Sequence, residues 1–209
     1  MQIKKVKNFY VPANDIHIQD WEGGKAFTQN KCLEKFKAYC INNKIHFENI
    51  IDIGAWVGTW AYAMQNLCEK QIFCYEPDSI HFKCLQKNKL DKVVPIQAAI
   101  GAKNDLVSLS EDNFTQAKRI SGEGKIKMIT LDSCNHTNID LIKIDVEGYE
   151  MEVLKGAVKT LKSVKYIMIE LNNNTKKYGS SNNQIERYLR KIGYRPLLNH
   201  WPDKVFVKK

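Results

Sequence analysis

The sequence predicts a doubly wound α/β fold: a mostly parallel, seven-stranded sheet with helices on both faces and a C-terminal antiparallel hairpin. Three observations carry that prediction. Short apolar runs alternate along the chain with stripes at helical i, i+3, i+4 spacing. One run, Ile50–Trp60, passes from an apolar strand through two glycines straight into a helical pattern. The last two runs, Tyr194–Asn199 and Lys204–Lys208, flank His200-Trp201-Pro202-Asp203 and read as the two strands of a hairpin.

A chain of 209 residues suits one domain with a full core, divided into an N-terminal arm and helix over 1–47 and an α/β core over 48–209. No apolar run approaches ~18 residues, so no membrane insertion is expected. The start, Met-Gln-Ile-Lys-Lys-Val-Lys, has no apolar stretch behind it and does not read as a signal peptide. Six cysteines occur without a C-x-x-C pair or zinc-like spacing, and most sit within apolar patterns. That predicts a reducing, cytoplasmic setting. The net charge of +9 permits a polyanionic partner, but the lysines are spread along the chain with no block of like charge.

Residues 1–30 show little periodicity and read as an arm or lid over the core. Their aromatics, Phe9, Tyr10, His17 and Trp21, beside the pair Gly23-Gly24, either anchor the arm or, for Trp21, line a pocket. Cys32, Leu33, Phe36, Tyr39 and Cys40 follow helical spacing and end near Asn42-Asn43. The first strand then carries Ile50, Ile51 and Ile53 around a single acid, Asp52. After it, Ala61, Met64, Leu67 and Cys68 continue on one helix face.

The turn between them is Asp52-x-Gly54-x-x-x-Gly58, not the dinucleotide pattern G-x-G-x-x-G. Glycines there would let a ligand approach the backbone, and Thr59 would open a helix whose N-terminus favours an anionic group. An acid two residues ahead of Gly54 suits a ligand with a cationic amino-acid end, of which S-adenosylmethionine is one.

The second strand, Gln71–Glu76, ends in Pro77-Asp78. An acid at a strand's carboxyl end some twenty residues after a Gly turn is placed to accept hydrogen bonds from ribose hydroxyls. Asp78 is a candidate N-cap for the helix carrying Ile80, Cys84 and Leu85. A third strand, Val93–Ile100, closes at Gly101, and Leu106–Leu109 reads as a short extra strand. Ser110–Lys125 is polar and reads as a surface loop, with Lys118 and Arg119 as substrate contacts or merely solvated. Ile126–Leu131 resumes as a strand.

Ile139–Glu150 is the strongest chemical signal after the Gly turn. Lys143, Asp145 and Glu147 recur at period two, and ionisable groups on a central parallel strand are costly unless paired or functional. A structural Lys143–Asp145 pair is the alternative, and it leaves Glu147 unexplained. Met151, Leu154, Val158 and Leu161 then fall on one helix face, and Tyr166–Leu171 is a fifth core strand ending in Glu170-Leu171-Asn172. Ser181-x-x-Gln184 is a capping box ahead of the stripe Ile185, Tyr188, Leu189, Ile192.

In this fold ligands bind beyond the carboxyl ends of the strands, so Asp52 to Gly58, Glu76, Asp145, Glu170 and the His200 turn should gather at one rim. Asp52-x-Gly54-x-x-x-Gly58, Glu76-Pro77 and above all Lys143-Ile-Asp145-Val-Glu147-Gly148-Tyr-Glu150-x-x-Val-Leu154-Lys-Gly156-Ala157 resemble the FkbM-type S-adenosylmethionine-dependent methyltransferases. The resemblance spans roughly residues 48–172, and the hairpin also fits the Rossmann-like class I methyltransferase fold.

The resemblance implies methyl transfer from S-adenosylmethionine to a hydroxyl oxygen of a sugar, glycan or secondary metabolite. Gly54, Ala55 and Gly58, with Trp56 and Thr59, would then form the methionine-side turn, ordered by Asp52. Glu76, with Pro77 and Asp78, would hold the ribose; Ala98 and Ala99 would lie near the adenine, and Asp145 near the amino-acid end or the acceptor. The family commonly reads Gly-Ala-Asn-x-Gly, so Trp56 stands where an asparagine is usual and bears on the methionine or acceptor pocket.

Removing the acceptor's proton calls for a general base, and the candidates are Asp145, Glu147, Glu170 and His200, with the Asp145/Glu147 pair ahead of His200. Asp145, Glu170 and Asn172 are also similar in placement to the Mg²⁺ ligands of catechol-type O-methyltransferases, although Glu-x-Asn differs from that family's adjacent pair; the metal-free route is favoured. Two rival readings remain: a nucleic-acid (RNA ribose 2′-O) methyltransferase, prompted by the charge, and an inactive cofactor-binding module, prompted by Trp56. Against the first, the chain has no D-P-P-Y, no Pro-Cys loop and no clear Lys-Asp-Lys-Glu tetrad.

Overall fold

The computed structural model describes residues 2–15, 17–23, 30–110 and 120–209. Gly24, Lys118 and Arg119 lie outside the described residues.

The chain opens with an antiparallel hairpin, β1 (Ile3–Val6) and β2 (Phe9–Pro12), and a short helix α1 (Ile18–Glu22). Val6, Phe9, Val11, Ile18 and Trp21 bury against Val57 and Cys84 of the core. This hairpin corrects the expectation of an aperiodic arm. Each strand is four residues long, too short for alternation to register.

Helix α2 (Lys31–Asn42), N-capped by Asn30, leads to β3 (Phe47–Ile53). Next come α3 (Thr59–Met64), β4 (Cys68–Tyr75), α4 (Ser79–Asn88) and β5 (Val93–Ile96). After a small excursion the chain re-enters the sheet as β10 (Ile139–Ile144), α5 (Glu150–Lys155), β11 (Tyr166–Glu170), α6 (Asn182–Lys191), β12 (Tyr194–His200) and β13 (Asp203–Lys208). The seven-stranded sheet has the order β12-β13-β11-β10-β3-β4-β5. Its strands from β11 to β5 are parallel and the terminal hairpin is antiparallel.

Alternate strand residues go to opposite faces. Ile51, Ile53, Ile142, Ile144, Ile167 and Ile169 pack with Val153 and Leu154 of α5 and Ile185 and Leu189 of α6. Ile50, Ile72, Leu141 and Met168 pack with Leu33 and Phe36 of α2, Trp60 and Met64 of α3 and Leu85 of α4. The expected doubly wound α/β fold is the observed one.

Several boundaries differ from the sequence reading. The strand expected over Val93–Ile100 divides, because Ala99 and Ile100 leave the main sheet as β6 and pair with β9 (Ile126–Ile129). With β7 (Asp105–Leu109) and β8 (Ile120–Glu123), they form a four-stranded sheet of order β6-β9-β7-β8. Residues 120–123 of the expected loop are thus a strand. Leu131 begins a 3₁₀ turn, Cys68 begins β4, and α5 stops at Gly156, leaving Val158 exposed.

The cysteines are unpaired and five of the six are buried. No helix among the described residues is long and apolar enough to cross a membrane.

Candidate active site

β3 ends at Ile53, and the turn Gly54–Gly58 carries three left-handed residues: Gly54 at φ +80°, Trp56 at φ +51° and Gly58 at φ +92°. The protein's own packing already requires both glycines. A Cβ on Gly54 would stand 1.8 Å from the Asp145 carbonyl oxygen, where the ends of β3 and β10 nearly touch. One on Gly58 would meet Leu85 and Leu90 at 2.7 Å.

The amides of the turn that precedes α3 are largely used within the protein, while α3 itself has no side-chain cap at its N-terminus. Gly54 and Ala55 both donate to the Tyr75 carbonyl, Gly58 donates to Ala55, and Trp56 donates to the Glu76 carboxylate at 2.8 Å. The helix behind them has only six residues.

Asp52 is on the wall of neither cavity at these strand ends. It is fully buried and pairs with Lys143 at 3.2 Å, its direct neighbour in register on β10. Lys143 also lies 3.4 Å from Asp145 and donates to the Gly54 carbonyl at 2.8 Å. Burial works against its charge, but Asp52 and Asp145 outweigh that and hold the ammonium above its ordinary pKa. Burial raises the Asp52 carboxyl, and Lys143 draws it back. Asp52 therefore orders the turn indirectly, through the lysine that grips Gly54.

Beyond these strand ends lies a cavity of about 480 Å³. Gly54, Trp56, Glu76, Pro77, Ala98, Ala99, Asp145, Glu147 and Glu170 line it, together with residues the sequence reading did not place: Tyr75, His81, Leu109, Ile120, Val146 and Tyr149. From the N-terminal segment come His17, Asp20 and Trp21. The two functions proposed for Trp21, anchor and pocket wall, coincide: it is buried and its ring lies 5.3 Å from that of Trp56. Ala55 and Thr59 line a neighbouring cavity instead, and Asp78 lines neither.

Glu76 is buried, and each of its carboxylate oxygens accepts one backbone amide: Oε2 that of Trp56 and Oε1 that of Asp78, at 2.9 Å. His81 Nδ1 lies 3.7 Å from Oε1. Both oxygens keep lone pairs for hydroxyl donors. Asp78 N-caps α4, accepting the amides of Ile80 and His81.

Although β10 stops at Ile144, Lys143 and Asp145 do lie side by side, and the period-two account fails only at Glu147. Glu147 lies in a turn, itself at φ +56°, and yet the turn brings it back to the others. One carboxylate oxygen each of Asp145, Glu147 and Glu170 lies within 4.8 Å of the other two. Burial, then the charges of Asp145 and Glu147, push Glu170 up to about 9. Oxygen donors of this kind suit Mg²⁺. Asn172 does not complete the set, because its amide donates to Glu170 at 2.7 Å and its oxygen caps Asn174 at 2.9 Å.

His200 is not in this cavity. It ends β12, paired with Asp203, and lines the neighbouring one, where Asp145 is also found. The reason is the antiparallel hairpin, which places its turn beside β11 rather than over the centre of the rim.

Residues 52–196 match the Methyltransferase FkbM domain. The chain belongs to the FkbM methyltransferase family. Its relatives include hexuronic acid methyltransferase AglP of Haloferax volcanii, 26% identical over 132 residues that make up 57% of this chain and 54% of AglP. The chain thus matches about half the length of that curated relative. Among solved structures, methyltransferase FkbM from Methylobacillus flagellatus KT superposes with a TM-score of 0.57 at 18% identity, covering 77% of this chain and 43% of that one. Ribosomal protein L11 methylase from Lactobacillus delbrueckii subsp. bulgaricus does so with a TM-score of 0.55 at 11% identity, covering 90% and 83%. At these identities the superpositions speak for the fold.

The family's usual asparagine also explains the backbone at Trp56. Asparagine tolerates the left-handed region, whereas a bulky residue there is strained. Trp56 holds that conformation through the hydrogen bond its backbone amide donates to the Glu76 carboxylate and through its packing on Trp21.

Proposed function

We propose that this FkbM-family methyltransferase moves the methyl group of S-adenosylmethionine to a hydroxyl oxygen, on a sugar, a glycan or a secondary metabolite. The observation that carries the reading is a single cavity lined both by an amide-fixed acid, Glu76, and by three clustered carboxylates, Asp145, Glu147 and Glu170.

The residues fit the cofactor. Glu76 offers lone pairs suited to ribose hydroxyls, and Ala98 and Ala99 give a small apolar wall suited to adenine. Asp145 lines the same cavity, with Lys143 3.4 Å away. When bound, S-adenosylmethionine supplies a methyl group already activated on a positively charged sulfur.

The chain's own tasks are then alignment and proton removal. Alignment is worth roughly 7–11 kcal/mol at best, and a general base contributes about 10²–10⁴-fold. Asp145 is the favoured base, because Glu170 holds its own proton near neutrality and Glu147 accepts a hydrogen bond from Asn174. A sugar acceptor is favoured by AglP, named as a hexuronic acid methyltransferase.

The test is methyl transfer from labelled S-adenosylmethionine to a panel of glycosides and phenols, with Asp145→Asn alongside and with a chelator. Transfer to a hydroxyl that falls at least about 100-fold in the variant and survives chelation supports the reading. Loss on chelation, restored by Mg²⁺, would move the role of the three acids from base to metal ligands.

A further inference from the structure

A second cavity, of about 490 Å³, adjoins the first, and Gly54, Trp56 and Asp145 line both. Asp145 is the one ionisable side chain, among the described residues, common to the two walls. A methyl donor held in the first cavity therefore meets an acceptor from the second at the carboxylate favoured as base.

We propose that this second cavity is the acceptor site and takes a hexopyranose ring, stacked on Trp201 with its hydroxyls turned toward Asp203 and Asp145. The proposal rests on the methyl-transfer reading above. Two observations support a sugar.

Trp201 lies at the tip of the β12–β13 hairpin with 74% of its surface exposed, the most exposed of the large hydrophobic residues described. A broad aromatic face at a cavity mouth suits the C–H face of a pyranose.

The remaining wall is dense in hydrogen-bonding groups. Asp203 accepts from the Asn30 amide at 2.9 Å and is pushed up to about 6 by burial and then by Asp145. Lys31, Thr59 and His200 stand around it. Such a wall suits an acceptor bearing several hydroxyls better than a flat apolar one.

The experiment uses protein saturated with S-adenosylhomocysteine, titrated with methyl β-D-glucopyranoside and with methyl β-D-glucopyranosiduronic acid, followed by saturation-transfer NMR. The expected result is saturable binding of at least one glycoside. That binding should weaken about tenfold in Trp201→Ala. The affinity for S-adenosylhomocysteine should change less than about twofold in that variant. Trp201 is exposed, so its variant tests the site without disturbing the core.

The proposal is overturned if neither glycoside binds the loaded protein, if a glycoside competes with S-adenosylhomocysteine, or if Trp201→Ala binds as the parent does. Failure of S-adenosylhomocysteine to bind the parent protein is a different result: it removes the methyl-transfer reading and this inference with it.

Discussion

Glu76 and Trp56, twenty residues apart in the chain, are joined by a 2.8 Å hydrogen bond from the Trp56 amide to the Glu76 carboxylate. The bond locks the Gly turn onto the end of the neighbouring strand. The acid proposed to hold the ribose therefore also holds the turn.

Replacing Glu76 by alanine should remove the ribose contact and loosen the turn together. A hydrogen bond to a charged group is worth about 1.5–3 kcal/mol, so S-adenosylhomocysteine should bind roughly 10–100-fold more weakly. Calorimetric titration checks this, and Glu76→Gln should fall between the two. Unchanged affinity in Glu76→Ala would place the ribose elsewhere.

Lys143→Met should be far more damaging to stability than its position in a strand suggests. It leaves the fully buried Asp52 without its partner, at a cost of about 3–5 kcal/mol. Denaturant unfolding should show that loss, and the double variant Asp52→Asn, Lys143→Met should recover part of it. Equal losses in the single and double variants would mean that the pair contributes little beyond packing.

Gly54→Ala should fail for lack of space rather than for lack of ligand. The new methyl would overlap the Asp145 carbonyl, and the residue's φ of +80° suits glycine alone. Loss of several kcal/mol of stability in the absence of any cofactor is the expected outcome, read by thermal unfolding. A stable variant defective only in cofactor binding would contradict this account.

Glu170 gives the pH dependence its sign. Its folded pKa, raised to about 9, lies above that of an unfolded glutamate at about 4.3. Its contribution is therefore fully present below the unfolded value and is lost as pH rises toward 9. Glu170→Gln should flatten the decline in melting temperature between about pH 5 and 9 by a few degrees. An identical pH profile in parent and variant would show that the three acids do not share their charge as the geometry requires.

Much of the fold was legible because it rests on local regularities. Helical and strand periodicities, the caps at Asp78 and Ser181, and the turn after β3 are all written in neighbouring residues. The N-terminal hairpin and the split at Ile96 were not legible, since four-residue and two-residue strands are held by distant partners rather than by their own pattern.

For the site, the sequence by itself determined which chemical groups are available: an acid after the second strand, a cluster of carboxylates after the fourth, and a Gly turn between strand and helix. Their meaning was settled only by tertiary structure. Asp52 and Lys143 prove to be partners because parallel strands set them in register. Gly54 proves to be a crossing point of two backbones, and His200 stands in a separate cavity because the hairpin carries it there. Period and spacing describe one strand at a time, whereas burial, pairing and cavity walls depend on which strands become neighbours.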